Sequence, residues 1–185
     1  MRMSPRTATL SLVLGAAALA GGCGDGDETP SSALPDAPAA LRLASPSFDD
    51  GAALPKRFTC DGEGVSPPLA VSDPPAKTRE LALVVEDPDA DGFVHWMMLR
   101  IPPETALIGE GRVPRGAVEI ENGFGDRGWG GPCPPEGDEP HRYVFAMYAL
   151  DAPLGLKKDP SPDEVHEALA EHALARGTLR GRFGR

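Results

Sequence analysis

The chain has four histidines, and two of them sit where side-chain chemistry is possible. His95 lies at the end of Asp87-Pro88-Asp89-Ala90-Asp91-Gly92-Phe93-Val94-His95-Trp96. His141 follows a loop, Gly128 to Pro140, whose glycines and prolines demand fixed turns and close backbone approach. If a strand begins there, His141 and Tyr143 are two apart and share a face. Two imidazoles, a phenol and loop amides offer hydrogen bonds to a small anion, best of all a phosphoryl oxygen. Asp87 and Asp89 would orient the imidazoles and fix which nitrogen donates. Their negative charge opposes an anion unless it is paired with a protonated histidine or with a cationic part of the ligand. A zwitterionic phosphoester carrying an amine meets that objection. The competing reading makes Asp87-Pro88-Asp89 an ordinary turn and Trp96 and Trp129 packing residues.

Short apolar runs separated by turn residues must position these groups. They are Leu41 to Ala44, Leu69 to Ser72, Leu81 to Glu86, Val94 to Ile101, Ala117 to Ile120 and Tyr143 to Leu150. Such spacing predicts a mainly β fold, an antiparallel sheet or two-sheet sandwich. Leu81 to Val85 lacks alternation, as expected of a strand covered on both faces. One C-terminal helix is signalled by Ser161 as N-cap, Pro162 in the first turn and Glu164 completing a capping box. Val165, Ala168, Leu169, His172 and Ala173 would form its apolar stripe, with Gly177 as its stop. On that stripe His172 is expected to be a packed, hydrogen-bonded histidine, while His166 is expected to face solvent.

With 185 residues, 41% of them hydrophobic, the chain can bury one ordinary core. A net charge of −10 and no basic stripe argue against nucleic acid as partner. Residues 1–22 read as a signal peptide: Arg2 and Arg6, an apolar run Ala8 to Ala20, then Gly21 and Gly22 before Cys23. The run is too short to span a bilayer as a stable helix. Leu19 to Cys23 resembles the lipobox of bacterial lipoproteins, although Ala20 stands where leucine is usual. That implies lipidation of Cys23 and an extracytoplasmic, membrane-tethered protein, the alternative being a plain secretory signal peptide with an incidental cysteine. Processing there leaves 16 basic against 28 acidic residues, a net of −12, so the lipid and not surface charge would hold the domain at an anionic bilayer. Residues 23–40 read as a flexible tether and 41–185 as the domain.

The two motif regions, Asp87-Pro88-Asp89…His95-Trp96 and Gly130-Gly131-Pro132-Cys133-Pro134-Pro135…His141-Arg142-Tyr143-Val144-Phe145, resemble the signatures of the phosphatidylethanolamine-binding protein family. The bacterial Raf-kinase-inhibitor-like branch is the nearer match. Phe58 to Leu69, Asn122-Gly123-Phe124-Gly125 and Ala175 to Phe183 fit as well. The resemblance implies a β-sandwich with a C-terminal helical element and a pocket for phosphate-like groups of phospholipid heads or nucleotides. It places Asp87, Asp89, His95, Trp96, Gly131, Pro132, His141 and Tyr143 around that pocket. Asp91 replaces a usual proline, adding a carboxylate nearby, and Phe183 replaces a common tyrosine, removing a hydroxyl.

With Cys23 assigned to lipid, Cys60 and Cys133 remain as an even pair in an oxidising compartment, and a disulfide between them is expected. The alternative is two buried free thiols. For function, the first expectation is a binding protein without cofactor or metal, taking a phosphoryl-bearing or similar anion and acting through an unidentified protein partner. A second is a phosphoester hydrolase, metal-assisted or acid/base, using Asp87, Asp89, His95 and His141. No activated nucleophile is evident, since Ser66 lacks a histidine in its sequence context. A third is an inhibitor of a protease or kinase, as the resemblance suggests.

Overall fold

The computed structural model describes residues 34–185, so the predicted signal peptide, the lipidation site Cys23 and most of the predicted tether lie outside the described residues. In chain order the strands are β1 (Arg42–Ala44), β2 (Ala52–Ala53), β3 (Leu69–Ser72), β4 (Glu80–Asp87), β5 (Phe93–Ile101), β6 (Leu107–Ile108), β7 (Val118–Ile120) and β8 (His141–Leu150). Helix α1 (Pro162–His172) and strand β9 (Ala173–Phe183) follow. Two sheets result: a three-stranded one, β1-β3-β6, and a six-stranded one, β2-β9-β8-β4-β5-β7. Every pairing is antiparallel except the edge pair β2–β9.

The six-stranded sheet is buried on both faces. One face presents Leu81, Leu83, Val85, Trp96, Phe145 and Met147 to Leu43, Leu69 and Val71 of the smaller sheet. The other carries Ala82, Val84, Met97, Ala146 and Tyr148 under Val165 and Leu169 of α1. Double coverage explains why every residue of β4 is buried and why its sequence does not alternate.

Helix α1 starts as its sequence requires. The Ser161 hydroxyl accepts from the Glu164 amide, and the Glu164 carboxylate accepts from the Ser161 amide. Its end differs from expectation. The helix stops at His172 and the chain turns directly into β9, so Gly177 is a mid-strand residue and not a helix stop. In β9, Ala175, Gly177, Leu179, Gly181 and Phe183 are buried while Arg180 and Arg182 are exposed, a period of two. Gly177 is required there because a Cβ would lie 2.7 Å from the Leu41 carbonyl oxygen.

His172 is only half-buried and hydrogen-bonds Asp151 at 3.0 Å. His166 does not face solvent. Its side chain is 14% exposed and its Nε2 lies 2.8 Å from Oε1 of Glu86, a carboxylate with no exposed surface. A polar group buried in the sheet needs a polar partner, and α1 brings one. The packed chain also begins earlier than the predicted boundary at residue 41. Leu34 is buried, and the Pro35 carbonyl accepts hydrogen bonds from Tyr148 Oη and Arg176 Nη1, both at 2.9 Å.

Candidate functional site

Asp87 ends β4, and its position organises one end of the larger sheet. Its Oδ1 accepts the Asp89 amide at 2.9 Å, capping the 3-10 turn Pro88–Ala90 that leads to β5. Its Oδ2 accepts from His141 Nδ1 at 2.7 Å, 54 residues away on β8. The Tyr143 hydroxyl faces the same carboxylate, and burial first, then that negative charge, pushes the phenol well above its ordinary pKa. Asp87 is 3% exposed, so this carboxylate lines the pocket as a nearly buried group.

His95 reaches the site through a β-bulge. The β4–β5 register passes from Val85↔Trp96 to Glu86↔Val94, so β5 has one more residue than β4, and that residue is His95. Bulges of this kind re-aim a side chain beside a site. The Gly130 amide donates to the His95 carbonyl at 2.8 Å, and His95 Nδ1 donates to the Gly130 carbonyl at 2.7 Å. This reciprocal pair fixes the ring. Gly130 is needed because a Cβ would lie 2.4 Å from the Phe124 ring. Burial lowers the His95 pKa, so the imidazole is neutral at pH 7.

Both tautomers follow from the partners. A carbonyl or a carboxylate only accepts, so each ring carries a proton on Nδ1, and Nε2 is the nitrogen that these bonds leave over. His95 and His141 line one cavity of about 170 Å³ with Asp87, Tyr143, Phe93, Phe124, Cys133 and Pro134. The His95 ring meets those of Phe93 and Tyr143 edge-on, with centroids 5.2 and 5.1 Å away. Phe124 stands at the rim, 52% exposed.

The other residues placed here by resemblance do not line this cavity. Asp89 turns away to form a fork with Arg142, whose Nε, Nη2 and backbone amide all bind it. That pairing, led by the side-chain hydrogen bonds, holds the Asp89 carboxyl below its usual range, and the nearby His141 adds to the shift through its charge. Trp96 is fully buried between the sheets and donates to Glu119 at 2.9 Å. Trp129 stacks on Phe145 and donates to the Phe58 carbonyl at 3.0 Å, so packing accounts for both indoles. Gly131 packs on the Phe58–Thr59 backbone, and the Pro132 carbonyl accepts the Cys60 amide at 3.1 Å. Asp91 is exposed, at the end of the 3-10 turn, and does not line the cavity. Phe183 is buried opposite His141 in the β8–β9 ladder.

Phe93, Phe124 and Pro134 were not foreseen as walls. Phe93 had a signal, standing two residues before His95 in a strand. Phe124 had none, since its place depends on Asn122, whose Oδ1 accepts the Phe124 and Asp126 amides and whose Nδ2 donates to Gly128.

Cys60 and Cys133 form the expected disulfide, with Cα atoms 5.4 Å apart. It is exposed at the pocket edge, where Arg185 Nη1 lies 3.5 and 3.2 Å from the two sulfurs. Among the described residues no group of three or more His, Cys, Asp or Glu side chains is arranged to hold a metal ion.

A family model described as phosphatidylethanolamine-binding protein matches residues 44–184. LppC of Mycobacterium tuberculosis, a lipoprotein by name, is 41% identical over 189 aligned residues, covering 96% of this chain and 94% of its own. A UPF0098 protein of Methanothermobacter thermautotrophicus is 41% identical, covering 78% of this chain and 99% of its own. Among solved structures, the phosphatidylethanolamine-binding protein homologue CT736 of Chlamydia trachomatis superposes with a TM-score of 0.73 at 37% identity, over 79% of this chain and 98% of that one. Escherichia coli YbcL, described as a member of the mammalian family, gives 0.74 at 29% identity, over 80% and 99%.

Proposed function

This chain belongs to the phosphatidylethanolamine-binding protein family, and on that footing we propose that it is a binding protein whose histidine pocket takes the phosphoryl group of a small phosphoester or phospholipid head group. The observation that carries this reading is the shared tautomer of His95 and His141, two Nδ1-tethered imidazoles offering Nε2 to one small cavity. Among the described residues no cationic side chain lines that cavity. Arg142 is engaged by Asp89, and Arg185 lies against the disulfide and Glu136. Phosphoryl oxygens therefore meet lone pairs unless a proton lies between them, on an imidazole or on the phosphate. Binding takes up that proton.

The size of the cavity suits a head group rather than a whole lipid. Asp87 below and the exposed Phe124 ring at the rim suit an amine attached to the phosphoryl group, the ring through cation–π attraction. Binding rather than turnover is favoured because Cys60 and Cys133 are joined and, among the described residues, no serine, threonine or free thiol lines the cavity beside either histidine. A lipid on Cys23 would hold the domain at a membrane outside the cytoplasm, a placement supported by the lipoprotein name of its mycobacterial relative. Partner regulation, hydrolysis and enzyme inhibition have no comparable support.

Calorimetric titration with inorganic phosphate, phosphoethanolamine and ethanolamine tests the pocket. We expect phosphoethanolamine to bind more tightly than phosphate, ethanolamine to fail, and His95→Ala and His141→Ala each to weaken binding by about tenfold or more. Equal binding to wild type and both variants would overturn the assignment. Mass analysis of the N-terminal peptide from membranes tests the anchor, which predicts an acylated Cys23.

A further inference from the structure

The β4–β5 pair carries a second bulge at its opposite end. Register passes from Leu83↔Met98 to Leu81↔Ile101, again with one more residue on β5, and Arg100 stands there with φ 58°. A left-handed arginine is costly and persists only where its surroundings hold it. Here the Glu80 carboxylate accepts the Arg100 amide at 3.1 Å. The first bulge aims His95 into the histidine pocket, and the second stands beside a larger cavity of about 670 Å³.

This cavity opens on the helix-covered face of the sheet, away from His95 and His141. Leu99, Val118 and Ile120 form its floor. Leu154 and Leu156, half-buried on the segment between β8 and α1, form its wall. Arg100, Lys157 and Lys158 border it. The protein is strongly acidic and has only four lysines, yet two of them stand at this opening. Lys157 is bridged to Glu164 at 2.9 Å, while Lys158 is exposed beside it. The lining acid, Glu80, is buried and committed to the Arg100 backbone. Apolar depth with a cationic border is complementary to a molecule having a hydrocarbon tail and an anionic head.

We propose that this cavity is a second binding site, separate from the histidine pocket, for a single-chain amphipathic anion: an alkyl or acyl chain ended by a carboxylate or phosphate. The tail lies along Leu99, Val118, Ile120, Leu154 and Leu156, and the head meets Lys157, Lys158 and Arg100. Nothing in this assignment needs the histidine pocket to bind phosphate.

The test is calorimetric titration of the purified full-length chain with decanoate and with dodecyl phosphate, below their aggregation concentrations. Dodecyl maltoside serves as the uncharged control. Both anions should bind with one-to-one saturation and persist in excess inorganic phosphate and in His141→Ala. The double variant Lys157→Glu, Lys158→Glu should weaken both by roughly tenfold or more. Leu156→Ser, a change on a half-buried loop residue, should weaken the longer chain more than the shorter. Binding of dodecyl phosphate alone would confine the site to phosphate heads and overturn the carboxylate half of the assignment. Absence of saturable binding, equal binding of the maltoside, displacement by inorganic phosphate, or indifference to the lysine changes would each overturn the site itself.

Discussion

His141 donates from Nδ1 to Asp87 Oδ2 at 2.7 Å, and this bond joins the strand after the Gly/Pro loop to the strand before the Asp-Pro-Asp turn. It is made beneath the surface, with side-chain exposures of 14% and 4%. One contact thus places a proton on Nδ1, closes one end of the sheet and leaves Nε2 out of the pairing. Asp87→Asn keeps the shape and can still cap the turn, but it removes the charge that holds the imidazole. We expect weaker phosphoethanolamine binding and a stability loss of about 1–3 kcal/mol, measured by calorimetry and urea unfolding. Unchanged affinity in a folded Asn variant would show that the carboxylate does not orient His141.

Asp89 and Arg142 predict an acid-sensitive clamp. The paired carboxyl titrates below its ordinary value of 3.8. Its contribution is therefore fully present above that value and is lost as pH falls through the lower, folded one. Both groups are partly exposed, so the pair contributes only about 0.5–1 kcal/mol. Urea midpoints across the acid range should fall less steeply in Asp89→Asn than in wild type. Phosphate affinity near neutral pH should change little in that variant, because Asp89 does not line the cavity.

The Cys60–Cys133 bridge closes a loop of 73 residues. Its removal by Cys60→Ser with Cys133→Ser should cost about 2–4 kcal/mol in chemical unfolding. Reductant should destabilise wild type and leave the double variant unchanged. A wild type that is indifferent to reductant, with two thiols reactive in denaturant, would deny the bridge.

Gly130→Ala should loosen His95 without touching either histidine. The added Cβ meets the Phe124 ring at 2.4 Å, so the ring or the loop must shift. A stability loss of about 1–3 kcal/mol is expected from the overpacking. Weaker head-group binding should accompany it, since the same residue makes both bonds to His95. Phe124→Ala should affect binding of the amine-bearing ligand more than that of inorganic phosphate.

Local signals in the sequence were the reliable ones. The Ser161–Glu164 box starts α1 because capping depends on residues three apart, and the apolar runs became strands for similar short-range reasons. Strand β9 was missed because Gly177 suits a helix stop, yet the alternation from Ala175 to Phe183 was present and shows the strand. Its glycines reflect contact with Leu41 and Leu54, neighbours distant in sequence.

The site divides along the same line. His141 and Tyr143 share a face by simple strand periodicity, and both reach the cavity. His95 reaches it through a bulge, which is a property of two paired strands and not of one. Asp89 looked equivalent to Asp87, but its partner Arg142 is 53 residues away and draws it off. Gly131 was expected at the wall, whereas Gly130 makes the contacts to His95. His166 appeared idle because nothing local reveals that Glu86, on β4, is buried beneath it.

The central claim is that His95 and His141 meet phosphoryl oxygens through Nε2 and therefore need a proton between them. Burial keeps His95 neutral near pH 7, so the proton must arrive with the ligand or from solvent. Affinity should then fall as pH rises, approaching about tenfold per unit once both partners are deprotonated. The most direct measurement is calorimetry of phosphoethanolamine binding near pH 7.5 in buffers of different ionisation heat, which counts protons exchanged. The account predicts uptake of about one proton per ligand bound. Binding with no uptake, or with proton release, would contradict it.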